Sequence, residues 1–408
     1  MSYSIRKSPS GKIVLSILLL SVVLLAVGCS RAPTTGWSGP IVNNTVLYVG
    51  TIDGKVLGLN LSNVTGGEPD VVWEEEFGTS KSGSLFACGA ALSTPMSTYG
   101  VPVMAGDRIY VGGYDGNIYS FLISQRGRNN FDTGSAIVGS PKVADGLVFV
   151  GNSDGEFYAL DLQLGQKWIF KTGDKIWSTP EVDNGVVYIG SADHNLYAID
   201  IDTGTEIWHF EAGGAILSTP LVVEGMVYIG SCDNKFYAIH AATEEERVTA
   251  LARDEGTPAP SKDGDDAKWV FPEAENWFWT KALFYEGEIW VGSLDHNVYV
   301  LDAETGKENW AFETDGMVQA PPVLIDDVII IGSGSEKGDE TGKKGKLYGI
   351  DPQGRNHWTL YSFDAPVLAP IYADYDRGIV YVHAQNGNHT LYAIRVETGE
   401  ELWSFETS

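Results

Sequence analysis

The sequence predicts an all-β fold: a single eight-bladed β-propeller of four-stranded antiparallel blades. Three observations predict it. First, one phrase recurs along the chain: a proline, an apolar residue two positions on, a polar turn, then an apolar-aromatic-apolar stretch ending in glycine. Second, the repeats follow a basic period of about 40 residues, lengthened by three insertions. The closing positions are Gly50, Gly112, Gly151, Gly190, Gly230, Gly292, Gly332 and His383, with steps of 62, 39, 39, 40, 62, 40 and 51 residues. Third, each unit of about 40 residues holds four strand signals, which is the pattern of a propeller blade.

The unit from 178 to 213 shows the elements in order. Ser178-Thr179-Pro180-Glu181-Val182 reads as a short innermost strand. Asp183-Asn184-Gly185 is a turn, because Asn and Gly tolerate positive φ. Val186 to Ser191, rich in β-branched and aromatic residues, is a second strand. Asp193-His194-Asn195 turns the chain into a third strand, Leu196 to Asp200, and Thr203-Gly204 turns it into the outermost one, Glu206 to Phe210. The second turn recurs as Asp53-Gly54, Asp115-Gly116-Asn117, Asp154-Gly155, Asp233-Asn234 and Asp295-His296-Asn297. These aspartates and histidines are hairpin residues rather than metal ligands, since such pairs are what a tight β-turn requires.

The ends and the composition set the compartment. Arg6, Lys7 and Lys12 precede an uncharged, mostly apolar run from Ile13 to Val27, followed by Gly28 and Cys29. A basic start, a short apolar core and small residues at the end form a secretory signal. The run is shorter than the roughly 20 residues of a bilayer span. The Ala26-Val27-Gly28-Cys29 end resembles the lipobox of bacterial lipoproteins, with Ala26 in place of the usual leucine. That resemblance implies a signal peptide over 1–28, lipidation at Cys29, a tethered linker over 29–36 and a propeller over 37–408 outside the cytoplasm.

The chain carries 27 basic and 54 acidic residues, and loss of the leader takes its net charge from −27 to −30. Such acidity excludes nucleic acid as a partner and direct adsorption to anionic lipid heads. Cys88 and Cys232 remain after Cys29. An oxidising compartment makes them a candidate disulfide, because Cys232 sits in a hairpin on the same face as the long connection 78–100 that carries Cys88. No CxxC or zinc pattern is present.

Asp302-Ala303-Glu304-Thr305-Gly306-Lys307-Glu308-Asn309-Trp310 resembles the tryptophan-docking motif of the PQQ-like (quinoprotein-type) propeller repeat. So do Ala198 to Trp208 and Thr398-Gly399-Glu400-Glu401-Leu402-Trp403. In that family the tryptophan packs between neighbouring blades and the Thr-Gly turn holds it. The resemblance covers 37–408 and implies docking roles for Trp73, Trp168, Trp208, Trp269, Trp310, Trp358 and Trp403, with Phe131 as substitute in the second copy. A buried ring of this size contributes roughly 1.5–3 kcal/mol or more. In size and anchor the chain is similar to the BamB family of outer-membrane assembly lipoproteins. This implies a non-catalytic scaffold that binds an envelope or surface protein through loops on one face, as a monomer and without a cofactor.

If the repeat is scaffold, function lies in its departures. Trp177 directly precedes the innermost strand of its blade, as Trp277-Phe278-Trp279 does in the sixth copy, where other copies have Val138, Leu217 or Val318. Exposed tryptophans on a loop rim are typical binding anchors, so Trp177, Trp277, Phe278 and Trp279 form a candidate partner-binding rim. The fifth copy replaces its Thr-Gly turn with 241–268. Its acidic groups Glu244-Glu245-Glu246 and Asp263-Gly264-Asp265-Asp266 lack the alternating spacing of a calcium loop, so a solvated loop is expected there. The seventh copy lengthens its central hairpin over Ser333 to Lys346. Because connections alternate ends in an up-and-down blade, this hairpin and 78–100 belong on one face and 241–268 on the other.

The repeat raises two alternatives, a dehydrogenase using PQQ with calcium and a polysaccharide-binding surface protein. The quinone enzymes it resembles carry an adjacent Cys-Cys pair, a calcium cage and an aspartate base. This sequence has no Cys-Cys pair, nor any GxSxG, HExxH or P-loop. No catalytic residue is assigned.

Overall fold

A computed structural model describes residues 38–62, 67–77, 98–125, 127–254, 256–272, 274–334, 344–353, 357–385 and 389–407. They form eight sheets, each with four antiparallel strands in chain order: 41–76, 103–132, 142–171, 181–211, 221–271, 283–313, 323–363 and 372–406, with one short strand inside 221–271 joining the sheet before it. Eight apolar clusters fill the spaces between them, and each unites two successive blades. Phe149, Phe157 and Trp168 of blade 3, for instance, pack with Val187, Ile189 and Ile199 of blade 4. One cluster joins Leu47, Val49 and Leu59 of blade 1 to Ile379, Tyr381 and Trp403 of blade 8, so the ring is closed.

Closure involves no strand exchange among the described residues. Side chains fasten the seam instead. His383, in the place of the repeat's glycine, is buried with Nδ1 2.7 Å from the Ser38 carbonyl oxygen and Nε2 3.0 Å from Thr407 Oγ1. A carbonyl can only accept, so Nδ1 carries the proton. Burial holds His383 below the ordinary histidine value. Neighbouring His389 is lowered to about 4 by burial and by His383.

The innermost strands are shorter than the sequence suggests: the strand of blade 4 is Glu181–Asp183. Pro180 has no N–H to give the ladder, and Ser178 replaces it by clasping Gly190, accepting from its N–H at 2.9 Å and donating to its carbonyl at 2.8 Å. Ser218 treats Gly230 the same way. The hairpin turns have the expected conformation, with φ of 79° at His194, 68° at Asn234 and 77° at His296. Their aspartates accept backbone N–H groups two residues on and tyrosine hydroxyls four residues on, as Asp193 does from Asn195 and Tyr197. These carboxylates hold turns, and no group of three or more metal-ligating side chains occurs among the described residues.

The segment 241–268 departs from expectation. It holds helix α1 (Glu244–Leu251), with a Thr243–Glu246 capping box, and a two-residue strand, Ser261–Lys262, that pairs in parallel with the outermost strand of blade 4. Blade 4 therefore has five strands. The acidic triplet that suggested a solvated loop fills the first helical turn, where negative charge meets unsatisfied backbone N–H groups. Arg247 ties the helix to the body. Its Nε lies 2.6 Å from the fully buried Asp200 carboxylate, and Nη2 lies 3.1 Å from Asp202.

Candidate partner-binding mouth

The outermost tryptophans sit opposite small residues of the third strand: Trp168 opposite Ala159, Trp208 opposite Ala198, Trp269 opposite Ala238, Trp403 opposite Ala393 and Trp73 opposite Gly58. The small residue leaves room for the indole. Trp168 and Trp269 each donate Nε1–H across to the next blade, to the carbonyls of Ile201 and Ala303, both at 2.9 Å. The Thr-Gly turns of those blades lie against the rings. A Cβ at Gly204 would stand 2.7 Å from the Trp168 ring and one at Gly306 2.4 Å from Trp269, and both glycines have positive φ. The other positions vary. Trp208 is buried but its Nε1 has no partner, and the Lys262 ammonium covers its ring at 4.3 Å. Trp310 and Trp73 are half-buried. Trp358 shares the register, opposite Gly349, but is 38% exposed; in that blade Leu360 meets the Gly399 turn.

At the ring's centre, the segments that lead into the innermost strands of blades 2 to 8 converge on one cavity of about 90 Å³. Its wall includes Tyr99, Val138, Trp177, Leu217, Trp279, Gln319 and Leu368, one from each of those segments. The residue immediately before most of these points the other way. Ile137, Ile176, Ile216, Phe278, Val318 and Val367 are all fully or almost fully buried, each against the glycine that closes the second strand of the preceding blade.

This alternation sorts the candidate rim. Trp177 and Trp279 line the mouth and are half-buried, and Trp277 stands outside it at 42% exposure. Phe278 is corrected: it is 1% exposed and wedged among Phe236, Phe271 and Tyr299. A Cβ on Gly230 would meet its Cβ at 2.2 Å, so the glycine is what admits the ring. Val318 belongs to that same buried series, and Gln319 is the seventh segment's wall residue. Trp177 is held in place by an Nε1–H donated to Ser153 Oγ at 3.1 Å.

Three charged residues meet beside the mouth, and one of them, Lys281, is part of the cavity wall. Glu181, on the innermost strand of blade 4, lies 2.7 Å from Lys142 Nζ of blade 3 and is paired with Lys281 Nζ of the segment entering blade 6. Burial works to raise the Glu181 carboxyl, but Lys281 and Lys142 outweigh it and hold it below its ordinary value. Sequence reading missed this trio. The available signal was the position after the repeat's proline, apolar in Ile41, Val103, Leu221 and Val323 but charged in Lys142 and Glu181.

Cys232 is half-buried on a hairpin and has no disulfide partner among the described residues; its thiol is raised to about 11 by burial and by Asp233. Its candidate partner Cys88 lies outside the described residues, as do Cys29 and most of the hairpin 333–346.

The mouth does not fit a quinone cofactor. Small-molecule sites commonly run to about 300–1,000 Å³, several times this cavity. No set of three carboxylate or other metal-ligating groups stands among the described residues to cage calcium.

A closed ring of eight repeat-built sheets, interlocked by indoles, defines the class: a PQQ-like repeat β-propeller. Within that class the chain belongs to the family described as outer membrane protein assembly factor BamB, whose profile matches residues 27–170, 165–265 and 244–408. No curated protein matches the chain in sequence. Among solved structures it is similar to the computationally designed Ika8 protein, with a TM-score of 0.63 at 13% identity over 88% of this chain and 96% of that one. It is also similar to BamB from Moraxella catarrhalis, with a TM-score of 0.59 at 15% identity over 88% of this chain and 94% of that one. At these identities the likeness is one of fold.

Proposed function

We propose that this chain is a non-catalytic scaffold lipoprotein of the cell envelope, tethered through Cys29 after removal of residues 1–28, with 29–36 as tether and 37–408 as the propeller. It holds a partner protein of the envelope at the central mouth. The family supports the envelope and assembly setting. The observation that carries the binding reading is the arrangement of indoles: Trp177 and Trp279 half-buried in the wall and Trp277 exposed beside them, all on loops rather than in the interlocked core. Aromatic anchors of this kind concentrate binding energy at interfaces.

Capture of envelope proteins from crosslinked membranes tests the reading. Trp177→Ala combined with Trp279→Ala removes the captured partner while circular dichroism and the unfolding midpoint stay close to wild type. Unchanged capture rejects the mouth as the docking site.

A further inference from the structure

We propose that the mouth is a receptor for a peptide C-terminus, with Lys281 of its wall as the contact for its free carboxylate and Lys142 as the second cation of the trio behind it. This rests on the reading of the mouth as the partner-binding site and names the part of the partner that enters it.

The argument starts from charge. The chain as a whole is strongly acidic, at −27, yet the trio beside its mouth has two ammonium groups for one carboxylate. Glu181 takes one N–H from each lysine, and an ammonium has three. Two donors on each lysine therefore remain for an incoming group, around a net charge of +1. Glu181 is the least exposed of the three, at 15%, while the Lys142 and Lys281 side chains are 31% and 33% exposed. The glutamate thus acts as a positioning residue: it draws both ammonium groups together while leaving each partly exposed.

The apolar wall decides what kind of anion fits. Trp177, Leu217, Trp279 and Leu368 surround the approach, so the occupant carries hydrocarbon next to its charge. An inorganic anion gains nothing from that wall. The cavity of about 90 Å³ is narrow, which suits a chain end entering head-on better than a loop bearing an internal acidic side chain. A peptide end supplies a carboxylate and an apolar last side chain one bond apart. Charge-assisted N–H···O bonds to a carboxylate are about twice as strong as neutral ones, and capture of a chain-terminal carboxylate is a known recognition mode.

Two random octapeptide libraries test this, one with free C-terminal carboxylates and one C-terminally amidated, each passed over the full chain held in detergent. The free-acid library yields binders ending in an apolar residue, and amidating any of them weakens binding at least about tenfold. Lys281→Gln removes that acid-over-amide preference, whereas Lys281→Arg keeps most of it. Equal recovery from the amidated library, or recovery from neither, overturns the proposal on the wild-type protein alone. Binders that need Trp177 and Trp279 but not the free carboxylate leave the mouth as a docking site and overturn only the carboxylate.

Discussion

Removing one interlocking indole should cost much more than removing another of identical chemistry and register. Trp168 is 8% exposed, with its ring 5.8 Å from those of both Phe149 and Phe157. Its Nε1 holds the Ile201 carbonyl of the next blade at 2.9 Å, and Gly204 closes over its face. Trp168→Ala loses that burial, opens a cavity and strips a buried carbonyl of its donor. Truncation of a buried Trp costs about 3–5 kcal/mol, and an orphaned acceptor places this site in the upper part of that range. Trp358 is 38% exposed, and Leu360 meets the facing turn instead. Trp358→Ala should cost about 1–2 kcal/mol, as expected for a ring that keeps much of its contact with water. Urea titration followed by far-ultraviolet circular dichroism measures both, comparing midpoints at unchanged slope. A loss below about 1 kcal/mol for Trp168→Ala, or equal losses for the two variants, refutes the idea that indoles bridging successive blades hold the ring together.

The other perturbations probe the insertion and the seam. Trp208→Phe should cost less than Trp168→Phe, by about 1 kcal/mol in the same titration, because Trp208 Nε1 has no partner to lose; an equal cost contradicts the hydrogen-bond assignment. Arg247→Met should cost about 3 kcal/mol by leaving the buried Asp200 carboxylate without its cation, and should make 241–268 the first site of limited proteolysis. An uncut insertion would show that other contacts hold it. Lowering the pH should loosen the seam. With His389 at about 4 when folded against an ordinary 6.5, the unfolded chain binds the proton first as pH falls. Stability is therefore full above pH 6.5 and declines as pH falls toward 4, by roughly 2–3 kcal/mol for His389, with His383 adding in the same direction. His383→Gln with His389→Gln should flatten that window, and an unchanged slope places the titrating groups elsewhere.

The blade number was legible because turn chemistry and β-branched runs recur on a basic step of about 40 residues even where insertions lengthen it, and the four main strands of each blade come in chain order. The interlocking indoles were legible only as a register. Trp168 and Trp358 occupy equivalent places, and what separates them is which residue of the neighbouring blade arrives, which periodicity does not record. Phe278 was misread because adjacent residues of an extended segment point opposite ways, so a one-residue slip exchanges wall for wedge. The insertion was misread because its acidic run looks like a solvated loop until the capping box of Thr243 and Glu246 is weighed. The Lys142–Glu181–Lys281 trio joins blades that are not consecutive, and only ring closure brings Lys281 to Glu181.

The most direct test of the account places a photo-crosslinking amino acid at position 279, in the mouth, or at position 358, on the outer edge, in the membrane-bound protein. Illumination in intact cells should give a discrete crosslinked envelope protein from 279 and none from 358. Crosslinking from 358 with none from 279 would contradict a partner held at the ring's centre.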